Sequence, residues 1–426
     1  MKNSTPCTSY KQMSRRHAMQ AGGAASMATF MGFSVRDLLA NIGPEGSGKA
    51  DRVVLLWMSG GMSHIDTFDP KPGRETGGEF EPIKTSSPDI QVSEILPTMA
   101  KHMDSATIIR SLSGQEGDHG RASYQLQTAH RITPQMVHPG IGSVVLNEMG
   151  KLGDLPGFIS INGRARSAGY FGQKAEAYFI GRAGEPDPYL SLPTGINEVT
   201  SNKRLEILAR MNKRYATTTK DKSLLDIDRT YKEAKNFMNS PALKAFDLKE
   251  ESDSVREAYG ETNYGRGVLL ARRLLETGVR FVQVNLGGFD THGNNFESLR
   301  ALSGIFDPAI GNLMGDLKAN GLMERTLVVV LSEFGRTPRI NGNTGRDHYP
   351  RVFSTMVAGG PFSKGIVWGT SDKDGIAPDE NPVTPGDLHA SILHSLGVNY
   401  QKEMMTPLGR PMMLVPDGKP IAPVLS

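Results

Sequence analysis

The sequence predicts a doubly wound α/β fold, in which a central, mostly parallel sheet carries helices on both faces. Two observations support this prediction. Short runs such as RVVLLWMSGG (52–61) are apolar throughout, as expected for strands that are covered on both sides. Segments with helical periodicity alternate with these runs, and this alternation is typical of parallel strands joined by crossover helices.

Five further apolar runs predict the other strands, at 106–112, 157–161, 279–288, 326–335 and 354–360. The helices between them are predicted from RASYQLQTA after the second run and FDPAIGNLMGDLKANG between the fourth and fifth. YGRGVLLARRLLETG (264–278) precedes the fourth run and ends at a glycine, where a helix C-cap is expected. PGDLHASILHSLG (385–397) follows the last run, and its His389 either faces the site or is structural, as His394 is expected to be.

The chain is predicted to form one α/β domain over residues 48–426. The lysine-rich, helix-forming stretch at about 197–260 is interpreted as a helical insertion in that domain. Residues 69–97 are rich in Pro and Gly, which indicates a long excursion with room for a hairpin.

Composition excludes several classes of protein. Of the 426 residues, 38% are hydrophobic and 22% are charged, which is enough for a sizeable core and too apolar for wholesale disorder. The net charge of +3, without any Lys/Arg run, argues against nucleic-acid binding. No stretch of 18 apolar residues predicts a transmembrane span. Cys7 is the only cysteine, so an internal disulfide and a CxxC metal site are excluded.

Residues 1–47 are interpreted as a leader and linker. SRRHAMQAGGAASMATFMG contains Arg15 and Arg16, followed by small and weakly apolar residues, and it resembles a twin-arginine export signal. This interpretation implies the twin-arginine export machinery as a partner and a periplasmic or other extracytoplasmic location. The alternative is a short amphipathic helix with a chance arginine pair.

Acids, imidazoles and guanidiniums follow the predicted strands. Ligands of such sheets bind at the carboxyl ends of the strands, so we expect these side chains to meet there. After the first run come His64 and Asp66, after the fourth come Asp290 and His292, and around the fifth and sixth come Glu333, Arg336 and His348.

Asp, Glu and His together form a ligand set that suits zinc, manganese or iron better than calcium. The predicted metal ligands are Asp290, His292, His348, Glu333, Asp66 and His64. In FDTHGNNF, the spacing of Asp290 and His292 puts both side chains on one face of an extended segment. Arginines beside such a set suit a phosphate or sulfate oxyanion, and a metal polarises the ester and acidifies bound water. For single residues the alternatives are ordinary: a histidine bonded to a carbonyl, Asp66 capping a turn, or Arg336 in a buried ion pair.

The ordered motifs GGMSHIDTFDPKP, FDTHGNNF, SEFGRTP, GRDHYP and PGDLHASILHSLG resemble an uncharacterised bacterial family, domain of unknown function fifteen-zero-one, in the alkaline phosphatase and sulfatase superfamily. The resemblance covers nearly the whole chain. It implies one or two metal ions at the strand ends, with Asp290 and His292 holding one ion and His348 completing its site. Glu333 and Phe334 fall where many relatives carry Asp-His.

The resemblance places the nucleophile of relatives near the start of a helix, and GDHGRASYQLQTAHR puts His119 at that position. His119 is therefore a candidate metal ligand, general acid or nucleophile, with Ser123 a weaker candidate. Arg121 and Arg336 complete the catalytic set. No C/S-x-P-x-R motif occurs, which disfavours a formylglycine-dependent sulfatase.

The sequence thus predicts an exported hydrolase of phosphate or sulfate esters that uses one or two divalent ions, zinc or manganese. A metal-bound water, or attack assisted by His119, would cleave a small-molecule or polysaccharide ester. The main alternative is a non-catalytic metal- or glycan-binding protein on a degenerate sulfatase-like scaffold. A phosphomutase-like transferase is a third possibility.

Overall fold

The computed structural model describes residues 48–185, 190–219 and 223–425. The predicted leader at 1–47 lies outside the described residues. Within these ranges, no helix is both long enough and apolar enough to cross a membrane.

The core of the described chain is an eight-stranded sheet. Its strands are β1 (Arg52–Met58), β2 (Ala106–Leu112), β3 (Phe158–Ile161), β4 (Tyr178–Ile180), β5 (Phe281–Leu286), β6 (Thr326–Leu331), β7 (Phe353–Ala358) and β8 (Ile366–Trp368). Their spatial order is β8-β2-β7-β6-β1-β5-β3-β4. β7 pairs antiparallel with both neighbours and every other pairing is parallel. The predicted doubly wound, mostly parallel sheet is confirmed.

Helices cover both faces of this sheet. They are α1 (His119–Thr128), α2 (Ile141–Met149), α3 (Glu198–Thr219), α4 (Ser223–Met238), α5 (Asp253–Tyr259), α6 (Asn263–Glu276), α7 (Asn295–Ala319) and α8 (Pro385–Ser395). Alternate side chains of β1 point to opposite faces, as the pleat requires. Val54 and Leu56 join the hydrophobic cluster formed with α6 and α7. Val53 and Leu55 join the cluster formed with α2 and α8.

The stretch predicted as a helical insertion contains α3, α4 and α5, joined after α4 by the 3-10 turns Pro241–Phe246 and Leu248–Glu250. Phe237 of α4 packs edge-on against Tyr178 of β4. The excursion at 69–97 contains a short antiparallel pair, Pro82–Lys84 with Gln91–Ser93.

A two-residue ribbon positions part of the candidate site. Gly335–Arg336 pairs antiparallel with His348–Tyr349, so that His348 lies opposite Arg336. The chain therefore returns, over the loop 337–347, to the carboxyl end of β6. Two more small ribbons are Thr370–Ser371 with Pro378–Glu380 and Glu403–Met405 with Pro411–Met413.

Candidate metal centre

The site lies beyond the carboxyl ends of β1, β5 and β6, the three adjacent strands at the middle of the sheet. The loop after β1 approaches the loop after β5 so closely that a Cβ on Gly60 would lie 2.5 Å from the Asp290 nitrogen. Gly60 also has φ +118°, which side chains rarely adopt. Its backbone N–H donates to Glu333 Oε1 at 2.8 Å, which ties β1 to the residue after β6. Only glycine allows this junction.

The carboxylate of Asp290 lies beside all three histidines of the site. Its Oδ1 lies 3.1 Å from His348 Nε2 and 3.1 Å from His292 Nε2. Its Oδ2 lies 3.3 Å from Nε2 of His119, the first residue of α1. The ligand atoms of His119, Asp290 and His348 all lie within 4.8 Å of one another. The structure thus brings together Asp290, His292 and His348 with His119, which the sequence had offered as a candidate metal ligand, general acid or nucleophile.

Each of the three histidines has its Nδ1 beside an oxygen acceptor. For His119 this is Glu333 Oε1 at 2.8 Å, for His292 it is Asp347 Oδ1 at 2.7 Å, and for His348 it is the Gly117 carbonyl at 2.8 Å. Carboxylates and carbonyls only accept hydrogen bonds, so these contacts place the proton on Nδ1. The unprotonated Nε2 then faces the centre, which is the arrangement of metal-binding histidines in proteins.

The separations between these atoms fit a metal ion. Nε2 of His292 lies 3.1 Å from Nε2 of His348. Two nitrogen lone pairs this close repel each other unless a proton or a cation lies between them. Among the described residues, Nε2 of His119 is buried with no hydrogen-bond partner. Ligands about 2.0–2.1 Å from a tetrahedral zinc ion lie about 3.3–3.4 Å apart, close to the separations seen here. Imidazole and carboxylate donors suit zinc or manganese.

The centre is open to solvent on one side. The side chains of Asp290 and His292 are 47% and 49% exposed, and that of His119 is 36% exposed. Partial burial alone would raise the pKa of Asp290, but the hydrogen bond from Arg336 and its positive charge lower it to about 2. Asp290 therefore stays ionised at every physiological pH, and a molecule from solution can reach it.

Glu333, which was predicted as a metal ligand, instead contacts the ring nitrogen of His119 that faces away from Asp290. Its side chain is 1% exposed, and its Oε1 accepts from His119 Nδ1 and the Gly60 N–H. Ser332 Oγ donates to Oε2 at 3.1 Å. These bonds occupy the carboxylate, so we reassign Glu333 as the residue that orients His119. The ring of Phe334, 4.9 Å from that of His119 and 4.7 Å from that of His348, holds both imidazoles in place.

Arg336 was expected to grip a substrate oxyanion, but its side chain is fully buried. It donates to the carbonyls of Gly60, Gly61 and Arg346 and to Asp290 Oδ1. Four of its five N–H groups are bonded within the protein, and the side chain is fully buried, so it does not reach a substrate in solution. We therefore reassign Arg336 as a residue that positions the Asp290 carboxylate and keeps it ionised.

Asp66 and His64 were also predicted as ligands, but both side chains are bonded to residues outside the group around Asp290. Asp66 is fully buried in a bidentate ion pair with Arg346, with Nε to Oδ2 at 2.8 Å and Nη2 to Oδ1 at 3.0 Å. Asn295 Nδ2 donates to the same carboxylate at 2.9 Å. His64 is buried and bonds the Gly375 carbonyl at 3.0 Å, and its burial lowers its pKa. We reassign both residues as structural.

The first turn of α1 presents His119 and Arg121. Asp118 caps the helix by accepting from the Arg121 N–H at 3.1 Å, which fixes the position of His119. The Arg121 side chain is 59% exposed and donates through Nε to Glu116 at 2.9 Å. His389 does not face this site: it is buried and bonds the Leu126 carbonyl at 2.8 Å.

The sequence assigned no role in this centre to Asp347, to the Gly117 carbonyl or to the ring of Phe334. Asp347 is half-exposed, and the hydrogen bond from His292 lowers its pKa. An acid directly before the predicted ligand His348 in GRDHYP was the signal that could have found it. A backbone carbonyl leaves no such signal in the sequence.

Comparison with known proteins gives a family and a general likeness of fold. The model of one family, described as Protein of unknown function (DUF1501), matches residues 50–425. A search of curated proteins finds no match. Similar solved structures include a phosphonate monoester hydrolase from Silicibacter pomeroyi, with 13% identity, a TM-score of 0.41, and 88% of this chain and 76% of that chain covered.

Two further structures are similar to this chain. They are the lipoteichoic acid synthase LtaP from Listeria monocytogenes (9% identity, TM-score 0.38, 88% and 76% covered) and a protein in the alkaline phosphatase superfamily from Vibrio parahaemolyticus (11% identity, TM-score 0.39, 84% and 70% covered). Scores this low say nothing about activity. The family match is different in extent, since it covers nearly all of the described chain. This chain belongs to the family described as Protein of unknown function (DUF1501).

Proposed function

We propose that this protein is a metal-dependent hydrolase of phosphate or sulfate esters, with its centre at Asp290, His292, His348 and His119. One observation carries the proposal: three Nε2 atoms converge on one carboxylate while every Nδ1 is held by an acceptor. Side chains arranged only for structural hydrogen bonding would not leave three imidazole lone pairs facing a carboxylate.

The ligand residues are pre-oriented for a divalent ion, zinc or manganese. Glu333 and Asp347 are the carboxylates of two carboxylate–histidine pairs, which fix the ring orientation and raise the basicity of Nε2. A bound ion would polarise the ester and acidify water beside it. Arg336 keeps Asp290 charged, so the carboxylate remains a ligand under all working conditions.

His119 supports a second route in which it acts as a base. Its Nδ1–H is held by Glu333, so its Nε2 can accept a proton from an attacking water, and the resulting imidazolium would be stabilised by that buried carboxylate. The proton taken at Nε2 can then be returned to the leaving alcohol. Ser123 is the weaker candidate nucleophile.

The substrate would be held at the exposed rim. Arg121 lies two residues after His119, and its exposed guanidinium can meet an ester oxygen from solution. The substrates are small-molecule or polysaccharide esters. Export through the twin-arginine machinery to the periplasm belongs to the same proposal, and it is supported only by the leader sequence.

A non-catalytic metal- or glycan-binding protein is the second candidate. It is favoured by the residue at the start of α1, where the nucleophile of relatives was expected and where this chain has His119. An imidazole committed to a metal ion would bind the ion without attacking an ester.

The two candidates differ in turnover. The full-length chain should be assayed on aryl phosphate mono- and diesters and aryl sulfates, with its metal removed by chelation and then restored as zinc or manganese. We expect metal-restored activity that falls about 100-fold or more in His292→Ala and His348→Ala, since even residues behind metal ligands cost 10–100-fold. His102→Ala, on the 3-10 helix Met99–Ser105, is the matched control and should keep activity. Bound metal without turnover would support the binding protein, and no bound metal would contradict both.

A further inference from the structure

The charges around the centre are few and fixed. Three carboxylates contact the ligand histidines or contribute to the centre, from Asp290, Glu333 and Asp347. One guanidinium, that of Arg336, bonds Asp290 from behind. With the histidines neutral, these side chains carry a net charge of −2, which one divalent ion neutralises.

The other acids near the strand ends have no room for a second ion. Glu333 is occupied by His119, Gly60 and Ser332, and Asp66 by Arg346 and Asn295. Across the described ranges, His119, Asp290 and His348 are the only group of three or more acids, histidines or cysteines placed to hold an ion. The buried guanidinium of Arg336 instead provides a permanent positive charge next to the carboxylate.

We infer that the centre holds one ion, with Arg336 as its fixed second cation, and that it selects esters carrying a single negative charge. Phosphodiesters and sulfate monoesters are of this class, whereas phosphate monoesters carry two charges at pH 8 because their second pKa is about 6. The inference rests on the proposed function. The metal-loaded centre has no net positive charge left to attract a second negative charge on the substrate, and the half-exposed carboxylate of Asp347 repels such a charge.

Arg121 fits this selection. It is an exposed cation in the first turn of α1, and only its Nε is bonded within the described chain, so its terminal nitrogens can meet an ester oxygen. Because Arg121 is paired with Glu116, it offers terminal nitrogens to one ester oxygen but adds no net positive charge to the site. A phosphate monoester would leave its second charge facing Asp290 and Asp347.

The test compares three aryl esters with the same leaving group, at pH 8 with the same metal: bis(4-nitrophenyl) phosphate and 4-nitrophenyl sulfate, which are monoanions, and 4-nitrophenyl phosphate, a dianion. We expect kcat/KM for at least one monoanion to exceed that for the dianion by about tenfold or more. Comparing the two monoanions shows whether phosphorus or sulfur is the reacting atom. Independently of activity, elemental mass spectrometry should find one divalent ion per chain.

The charge argument is tested by variants that change one charge at the centre. In each variant, the kcat/KM for the dianion is divided by the kcat/KM for the monoanion, and this ratio is compared with that of the wild type. Asp347→Asn removes one negative charge at a half-exposed position and keeps an oxygen for His292, so the ratio should rise severalfold. Arg336→Met removes the fixed cation, so the ratio should fall, and Arg336→Lys should fall less. A purely structural role would change total activity but not this ratio.

A wild-type preference for the dianion, two ions per chain, or an unchanged ratio in Asp347→Asn would each overturn the inference while leaving the hydrolase intact. Since Asp347 is half-exposed, its variant tests the charge argument even where Arg336→Met does not fold. Failure to turn over any of the three esters would instead contradict the proposed function itself.

Discussion

Replacing Glu333 with glutamine tests the reasoning about the second layer of the centre most sharply. In the wild type, Oε1 accepts two hydrogen bonds at 2.8 Å, from His119 Nδ1 and the Gly60 N–H, and Oε2 accepts one from Ser332 at 3.1 Å. Glutamine has the same shape but no charge. Its single oxygen can still accept from His119, while its NH2 group would face the Ser332 hydroxyl.

The variant should bind metal more weakly without unfolding. A buried carboxylate behind a metal-binding histidine raises the basicity of the other ring nitrogen, and losing such a partner costs about 10–100-fold in metal affinity. At about 1.4 kcal/mol per factor of ten, this corresponds to about 1.4–2.8 kcal/mol. The reason is specific to His119, since Glu333 contacts neither His292 nor His348 in the hydrogen bonds described for it.

The affinity can be measured by competition between the protein and a chromogenic chelator for zinc. Glu324→Gln is the matched control, because Glu324 is exposed, pairs with Lys364 and lies on the turn Met323–Arg325. It should leave the affinity unchanged. An affinity for Glu333→Gln equal to that of the control, in a protein with wild-type thermal stability, would refute the assignment of His119 as a ligand supported by Glu333.

Three further predictions concern stability. Arg346→Met leaves the fully buried carboxylate of Asp66 without its bidentate partner, so urea denaturation should show a loss of about 3–5 kcal/mol, and a loss under 1 kcal/mol would contradict the ion-pair description. Burial lowers the pKa of His389 to about 4, and burial together with the nearby charge of His130 lowers the pKa of His138 to about 4, against about 6.5 in the unfolded chain. The unfolded chain therefore takes up protons first as the pH drops. The free energy of unfolding should fall between pH 6.5 and pH 4, by up to about 3 kcal/mol for His389, with no such loss above pH 7. A urea midpoint independent of pH over that interval would contradict it. Gly60→Ala should lower thermal stability and metal affinity together, because its Cβ would meet the Asp290 backbone at 2.5 Å; a variant as stable as the wild type would show that the junction can relax.

Strands whose sequences are apolar on both faces were the most predictable part of the fold. The run at 52–61 became β1, and its alternate residues pack against helices on both sides of the sheet, as a parallel central strand requires. The helix predicted at 264–278 is α6, Asn263–Glu276, which ends next to its predicted glycine stop. The three-residue strands β4 and β8 were missed, because so few residues carry no periodicity. The reversed direction of β7 was also not predictable, since an apolar run does not encode its direction.

The candidate site was predictable to the extent that strand ends meet at one edge. That rule alone predicts that Asp290, His292 and His348 lie together, as they do in the structure. Which arginine faces the substrate depends on long-range packing: Arg336 is held by carbonyls from the β1 loop, far away in sequence. A guanidinium that is completely enclosed and one that reaches solvent look alike in sequence, so Arg336 and Arg121 could not be distinguished.

The same limit applies to Asp66 and Glu333. Both are acids after strands, as expected for ligands, yet each is used by a buried partner, Arg346 or His119. Sequence spacing identifies which residues reach the edge of the sheet. The partner that each of them finds there depends on contacts between segments about 200 or more residues apart.

The proposed function depends on a divalent ion that binds at Asp290, with Nε2 of His119, His292 and His348 around it. The most direct measurement is a crystal of the zinc-loaded full-length protein, with diffraction recorded on both sides of the zinc absorption edge. We predict one anomalous peak bounded by a carboxylate oxygen of Asp290 and by Nε2 of His119, His292 and His348. A peak at Asp66 or His64, or no peak near Asp290 in a zinc-saturated crystal, would contradict it.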